Sequence, residues 1–183
     1  LRLLPNYLQQ LEMESNGKGA TIEGKPVGRP TAPITWGGVG TDQQHAVFQL
    51  LHQGTHLIPL EFVGVIEQAD TVSKDHHETL LNSMFAQGAA LMKGKENPDD
   101  LARAYPGDRP STTLLLDELD ARALGALIAY HEHRVFVSGV LLGINSFDQF
   151  GVELGKEMAK AAAKGGGDFD PSTQDLIKRA FGN

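Results

Sequence analysis

Two long helical patterns alternate with short runs of strand-forming residues, and this alternation limits what the chain can fold into. Leu80, Leu81, Met84 and Leu91 mark a helix across residues 75–93. Leu124, Leu127, Ile128 and Val135 form one stripe of a second helix, which Asp120 caps and which runs through Val137. Runs with strand character precede them at residues 57–66 and 112–116, and a third short strand is predicted at residues 33–36. Strands alternating with helices imply a mainly parallel sheet covered on both faces, an α/β layered domain. Leu4, Tyr7, Leu8 and Leu11 recur at i, i+3, i+4, i+7 and predict a helix over residues 4–15, stopped by Asn16-Gly17. Residues 16–32 are a Gly/Pro-rich loop with a hairpin around Glu23-Gly24, and Asp170-Pro171 opens a last short helix with proline at N1. A chain of 183 residues can bury one sizeable core and is most simply one domain, residues 1–183.

Charge and composition exclude several classes. A formal charge of −7, with no Lys/Arg cluster and no aromatic-basic interleaving, argues against a nucleic-acid surface. No apolar run approaches the roughly 20 residues that span a bilayer, so no membrane segment is expected. The absence of cysteine excludes disulfides and thiol chemistry and fits a reducing, cytoplasmic setting. An acidic total gives no general attraction for an anionic metabolite, so a phosphate would need a local device such as a helix N-terminus. The opening Leu1-Arg2-Leu3-Leu4-Pro5 reads as a chain entered in mid-domain.

Three segments carry candidate chemistry. In the run Gly139-Val-Leu-Leu-Gly-Ile-Asn-Ser-Phe147-Asp148-Gln149-Phe150-Gly151-Val152-Glu153-Leu154-Gly155-Lys156, a strand-like stretch leads into a helix. Ser146 and Gln149 have the spacing of a capping box. Gly151 and Gly155 bare one helix face beside Lys156, and each lowers helix propensity by roughly 1 kcal/mol. Lys156, Lys160 and Lys164 also fall at i, i+4, i+8, the pattern of a solvated lysine face. In Leu8-Gln9-Gln10-Leu11-Glu12-Met13-Glu14-Ser15-Asn16-Gly17-Lys18, Gln10 and Glu14 share a helix face. The negative end of the helix dipole falls at Glu14 and suits a group that must take up a proton, although a glutamate before Asn-Gly is commonly a solvated helix end. In Trp36-Gly37-Gly38-Val39-Gly40-Thr41-Asp42-Gln43-Gln44-His45, Thr41 and Gln44 form a second capping-box pattern. His45 then falls about one turn into its helix, where the positive dipole end favours a neutral imidazole; the other reading is a helix-surface histidine.

Other constellations are weaker. Gly38-x-Gly40-x-x-Gln43 lacks the third glycine of a dinucleotide loop. His52-Gln-Gly-Thr-His56 has the outer spacing of a zinc-protease helix without its glutamate, and Gly54-Thr55 ends the helix. His131 and His133 stand at i, i+2 on different faces, so one metal is hard to share. His131 reads as a hydrogen-bonded core or interface histidine, and His76-His77 as surface or subunit contact. No metal and no cofactor are expected.

The three segments together resemble the phosphoglucose isomerase family. The run from Gly139 to Lys156 matches its signature, small-x-apolar-apolar-x4-aromatic-Asp-Gln-x-Gly-Val-Glu-x-x-Lys, at every fixed position. Residues 8–18 are similar to the family's Leu-Gln-Gln-x-x-Met-Glu-Ser-Asn-Gly-Lys. Residues 36–55 are similar to its Trp-Gly-x-x-Gly-Thr-x-x-Gln-His and His-Gln-Gly-Thr, with Gly38-Val39 where relatives often have Glu-Pro. The resemblance implies a sugar-isomerase (SIS)-type fold and interconversion of glucose 6-phosphate and fructose 6-phosphate. It implies Glu14 as the base moving a proton between C1 and C2, and Gln10 as a substrate contact. It also implies His45 and Lys156 as the ring-opening pair, in a homodimer where His45 enters the neighbouring subunit's site. The family's phosphate loop and enediolate-facing arginine lie upstream of the part resembled, so the chain corresponds to the C-terminal part of a larger isomerase. The competing class is a sugar-phosphate-binding module of the same fold without catalysis.

Overall fold

The computed structural model describes residues 1–69 and 71–182. Its order is α1 (Leu4–Asn16), α2 (Gly40–Ala46), α3 (Phe48–Gln53), β1 (Leu60–Val65), α4 (Lys74–Lys93), β2 (Ser111–Leu116), α5 (Ala121–Leu142), α6 (Glu153–Ala163) and α7 (Pro171–Phe181). Short 3-10 turns lie at Leu101–Arg103 and Phe150–Val152. Strands β1 and β2 run parallel, with Leu60 opposite Ser111 and Val65 opposite Leu116. The α/β class stands, with a small parallel sheet flanked by helices. The sheet has two strands among the described residues, because Pro33–Trp36 is irregular and joins no ladder. A proline at the head of so short a run removes a ladder donor.

Alternation along β1 sends side chains to two helices. A Cβ on Gly64 would stand 2.7 Å from the Met84 side chain, and Gly88 faces the Phe62 ring, so α4 packs on that face. Glu61 points the other way and meets His131 and Arg134 of α5. Local caps fix the helix starts. Ser73 accepts from the His76 N–H, Asp120 from the Ala123 N–H at 2.6 Å, and Asp170 from those of Ser172 and Thr173. Among the described residues the buried apolar side chains are Leu51, Leu91, Leu127, Val135 and Ile144. That falls short of the sizeable core expected from length, since α2, α6 and α7 bury no residue. No helix among the described residues is long and apolar enough to cross a membrane.

Two expected helix starts and a second expected strand are also corrected. The apolar stretch 139–142 continues α5, which Gly143 ends in the left-handed conformation at φ 68°. A continuous apolar run does not by itself distinguish strand from helix. Helix α6 starts at Glu153, seven residues beyond Ser146, so Ser146 and Gln149 form no capping box; both side chains are taken by α1. Helix α2 starts at Gly40 with no side-chain cap, and it breaks at Val47 before α3.

His131 is fully buried in α5, 3.5 Å from Glu61 and edge-on to Tyr130; contrary to the hydrogen-bonded histidine expected, neither ring nitrogen has a hydrogen-bond partner among the described residues. Burial pushes its imidazole below the ordinary histidine range; Glu61 opposes this and Arg134 adds to it. The unfolded chain therefore takes up this proton near pH 6.5, and the folded chain only at lower pH. The His131 contribution is complete above that pH and is lost as pH falls toward the folded value. Urea midpoints measured from pH 8 to pH 5 should fall more steeply for the wild type than for His131→Phe, and equal slopes would refute the assignment.

Candidate active site

The site is built on the C-terminal turn of α1. Gly17 ends that helix, and its N–H bonds the Met13 carbonyl. A Cβ there would approach the same oxygen to 2.3 Å, so the stop requires glycine. Asn16 is fully buried one residue earlier. Its amide donates to the Val135 carbonyl at 2.9 Å and to Glu12 at 3.4 Å, and its oxygen accepts from the Ser146 hydroxyl at 2.7 Å. One asparagine thus locks α1 to α5 and to the segment that follows α5.

That segment, residues 144–149, lies against the end of α1. Its turn is held by the Asn145 side chain, which accepts from the Phe147 N–H. The Lys18 ammonium reaches the Glu14 carbonyl at 2.8 Å, the Asp148 carbonyl at 2.7 Å and the Asp148 carboxylate at 3.2 Å. Gln149 donates its amide to Glu14 Oε1, and Gln10 donates to Glu14 Oε2 at 2.9 Å. Glu14 is half-buried and borders a shallow, open hollow of about 490 Å³ lined by Asn6, Gln9, Gln10 and Met13 of the same helix. A carboxylate has about four lone-pair positions, so two amide donors orient it and leave room to accept a proton from a molecule in the hollow.

Glu14 and Gln10 meet as their i, i+4 spacing requires. His45 and Lys156 are both exposed, and no hydrogen bond or ion pair among the described residues joins either of them to Glu14. His45 lies in the last turn of the seven-residue α2, where the positive-dipole argument does not apply. The helix is shorter than its pattern suggested because the chain breaks at Val47. A Cβ on Gly151 or Gly155 would meet nothing within 4 Å, and Gly151 precedes α6, so the two glycines do not line one face of it.

Neither residue type nor local spacing marks Lys18, Asp148 and Gln149 as partners of α1's last turn; Gln149 fits a local cap, and its signal is its place in the run Phe147-Asp148-Gln149. The histidine pairs separate as expected: His133 Nδ1 lies 2.8 Å from the Ala129 carbonyl of its own helix while His131 turns inward. His52 lies in the last turn of α3 with Nε2 3.0 Å from Gln87. Gln53 donates to the carbonyls of Ala102 and Ala104, and Arg109 to those of Gly54 and His56. These bonds hold the segment that follows His45 against the connector after α4.

A family model described as phosphoglucose isomerase matches residues 1–177. Glucose-6-phosphate isomerase of Sphingopyxis alaskensis is 66% identical over 183 residues, covering 100% of this chain and 36% of that protein. The Rhizorhabdus wittichii protein of the same name is 68% identical over 183 residues, with the same coverage of each. The chain therefore spans about a third of the length of these curated relatives. The crystal structure of a glucose-6-phosphate isomerase from Chlamydia trachomatis superposes with a TM-score of 0.83 at 38% identity, covering 97% of this chain and 35% of that one. Family model, sequence identity and superposed fold agree, and the chain belongs to the phosphoglucose isomerase family.

Proposed function

We propose that residues 1–183 are the C-terminal, proton-handling part of a longer cytoplasmic isomerase that interconverts glucose 6-phosphate and fructose 6-phosphate. The observation that carries this reading is the Glu14 carboxylate, held by two amides beside an open surface hollow on a chain of this family. Glu14 takes the proton from one carbon of the open-chain sugar and returns it to the neighbouring carbon through a cis-enediol(ate). Gln10 holds the base and contacts the substrate. Lys156 and His45 move the proton at the ring oxygen and open the hemiacetal. The exposure of both fits groups that complete a site only with further chain or a second subunit. Phosphate binding and enediolate stabilisation fall to sequence outside this chain.

His45 is proposed to act in the neighbouring subunit's site. Neither His45→Asn nor Glu14→Gln homodimers of the full-length parent should then turn over appreciably. Refolding the two together gives heterodimers with one intact site, and about a quarter of wild-type activity should return. No recovery would place His45 in its own subunit's site. The isomerase reading itself is tested by a coupled assay for glucose 6-phosphate formed from fructose 6-phosphate. Solvent deuterium entering bound substrate separates it from a non-catalytic sugar-phosphate-binding module.

A further inference from the structure

Lys18 stands outside every role assigned so far, yet its ammonium is the most fully coordinated cation near the base. A lysine has three N–H donors. Those of Lys18 face three oxygens, the carbonyls of Glu14 and Asp148 and the Asp148 carboxylate. The side chains of Lys18 and Asp148 are 16% and 25% exposed, so the pair is shielded from solvent. One of these oxygens belongs to the base's own peptide, and the other two to the residue before Gln149. The ammonium also sits at the C-terminal end of α1, where the helix dipole favours positive charge.

We infer that Lys18 is a positioning residue for the reaction, fastening the end of α1 to Asp148 so that the Gln149 amide is delivered to the Glu14 carboxylate. The inference rests on the reading of Glu14 as the base. Lys18 does not line the hollow beside Glu14; its effect passes through two peptide groups and one amide. The Asn16–Ser146 bond holds the same two segments together from the buried side, so loss of Lys18 loosens the arrangement without dispersing it.

The test uses the full-length parent, with rates expressed per folded molecule from urea titrations. Lys18→Met keeps length and apolar volume and removes the donors. It should lower kcat by roughly ten- to a hundredfold while KM moves by less than about threefold, because a misplaced catalytic group affects the chemical step most. Solvent deuterium incorporation into substrate should fall by the same factor as kcat, because proton abstraction is the step that needs the oriented carboxylate. Asp148→Asn removes one of the three acceptors' charge and should give the same loss, smaller. Lys18→Arg should recover only part of kcat, because a planar fork does not converge on three oxygens as an ammonium does. An unchanged kcat in Lys18→Met, or a lowered kcat with deuterium incorporation at the wild-type rate, overturns the inference. If Glu14→Gln retains kcat, the base reading fails and this inference falls with it. If Glu14→Gln is inactive and Lys18→Met keeps the wild-type kcat, this inference fails alone.

Discussion

Glu14→Gln in the full-length parent should reduce kcat by roughly 10²–10⁴-fold, the range removed when a positioned general base is lost. The substitution keeps side-chain length, so the loss cannot be ascribed to a vacated volume. It alters the site in two ways. An amide has one oxygen to accept with and an NH₂ that must donate. Gln10 and Gln149 now donate to both carboxylate oxygens, so one of them would face another donor. The variant thus removes the proposed base and frays the contact that positions it. Washout of solvent deuterium into substrate should fall by the same factor as turnover, because both need the C–H proton to leave. Near-normal kcat in this variant would exclude Glu14 as the base.

Gly139→Ala should destabilise the chain by about 2–4 kcal/mol, combining overpacking with a buried polar group forced off its partner. Gly139 is buried in α5, and a Cβ there would stand 2.1 Å from the Ser146 hydroxyl and 3.0 Å from the Asn16 side-chain oxygen. Helix propensity predicts the opposite sign, a gain of roughly 1 kcal/mol on replacing an interior helical glycine by alanine. Gly125 of the same helix separates the two effects, because a Cβ there meets nothing within 4 Å. Gly125→Ala should stabilise by about 0.5–1 kcal/mol while Gly139→Ala destabilises. Urea titration of both variants reads the difference; a neutral Gly139→Ala would mean that Ser146 and Asn16 can move apart freely.

The elements most legible in the sequence were those governed by local signals. Asp120 and Asp170 begin α5 and α7 where their patterns lie, and Gly17 and Gly54 end α1 and α3. The strands at 57–66 and 112–116 were found, each within a few residues. Misreadings gathered where a long-range contact competed with a local one. Ser146 and Gln149 fit a capping box in isolation, but Asn16 and Glu14, more than a hundred residues away, take both side chains. Lys18 looks on sequence like an ordinary surface lysine after a turn, and only the approach of Asp148 gives it three acceptors. The pairing of Gln10 with Glu14 was legible because helical spacing alone enforces it. Among the described residues nothing comparable ties His45 or Lys156 to that carboxylate.

The bonds that seat Glu14 join residues 14–18 to residues 135–149, spans of 119 to 135 positions along the chain. Closing so long a loop carries a large entropic penalty before any contact offsets it, and non-local contacts of this kind slow folding. Helix α1 can form early from its own residues, but its carboxylate acquires a fixed orientation only when the far segment docks. The maturation of the site is therefore a late event in folding. Hydrogen exchange pulsed during refolding should show α1 amides protected before those of Ser146–Gln149, and isomerase activity in the parent should appear with the second set.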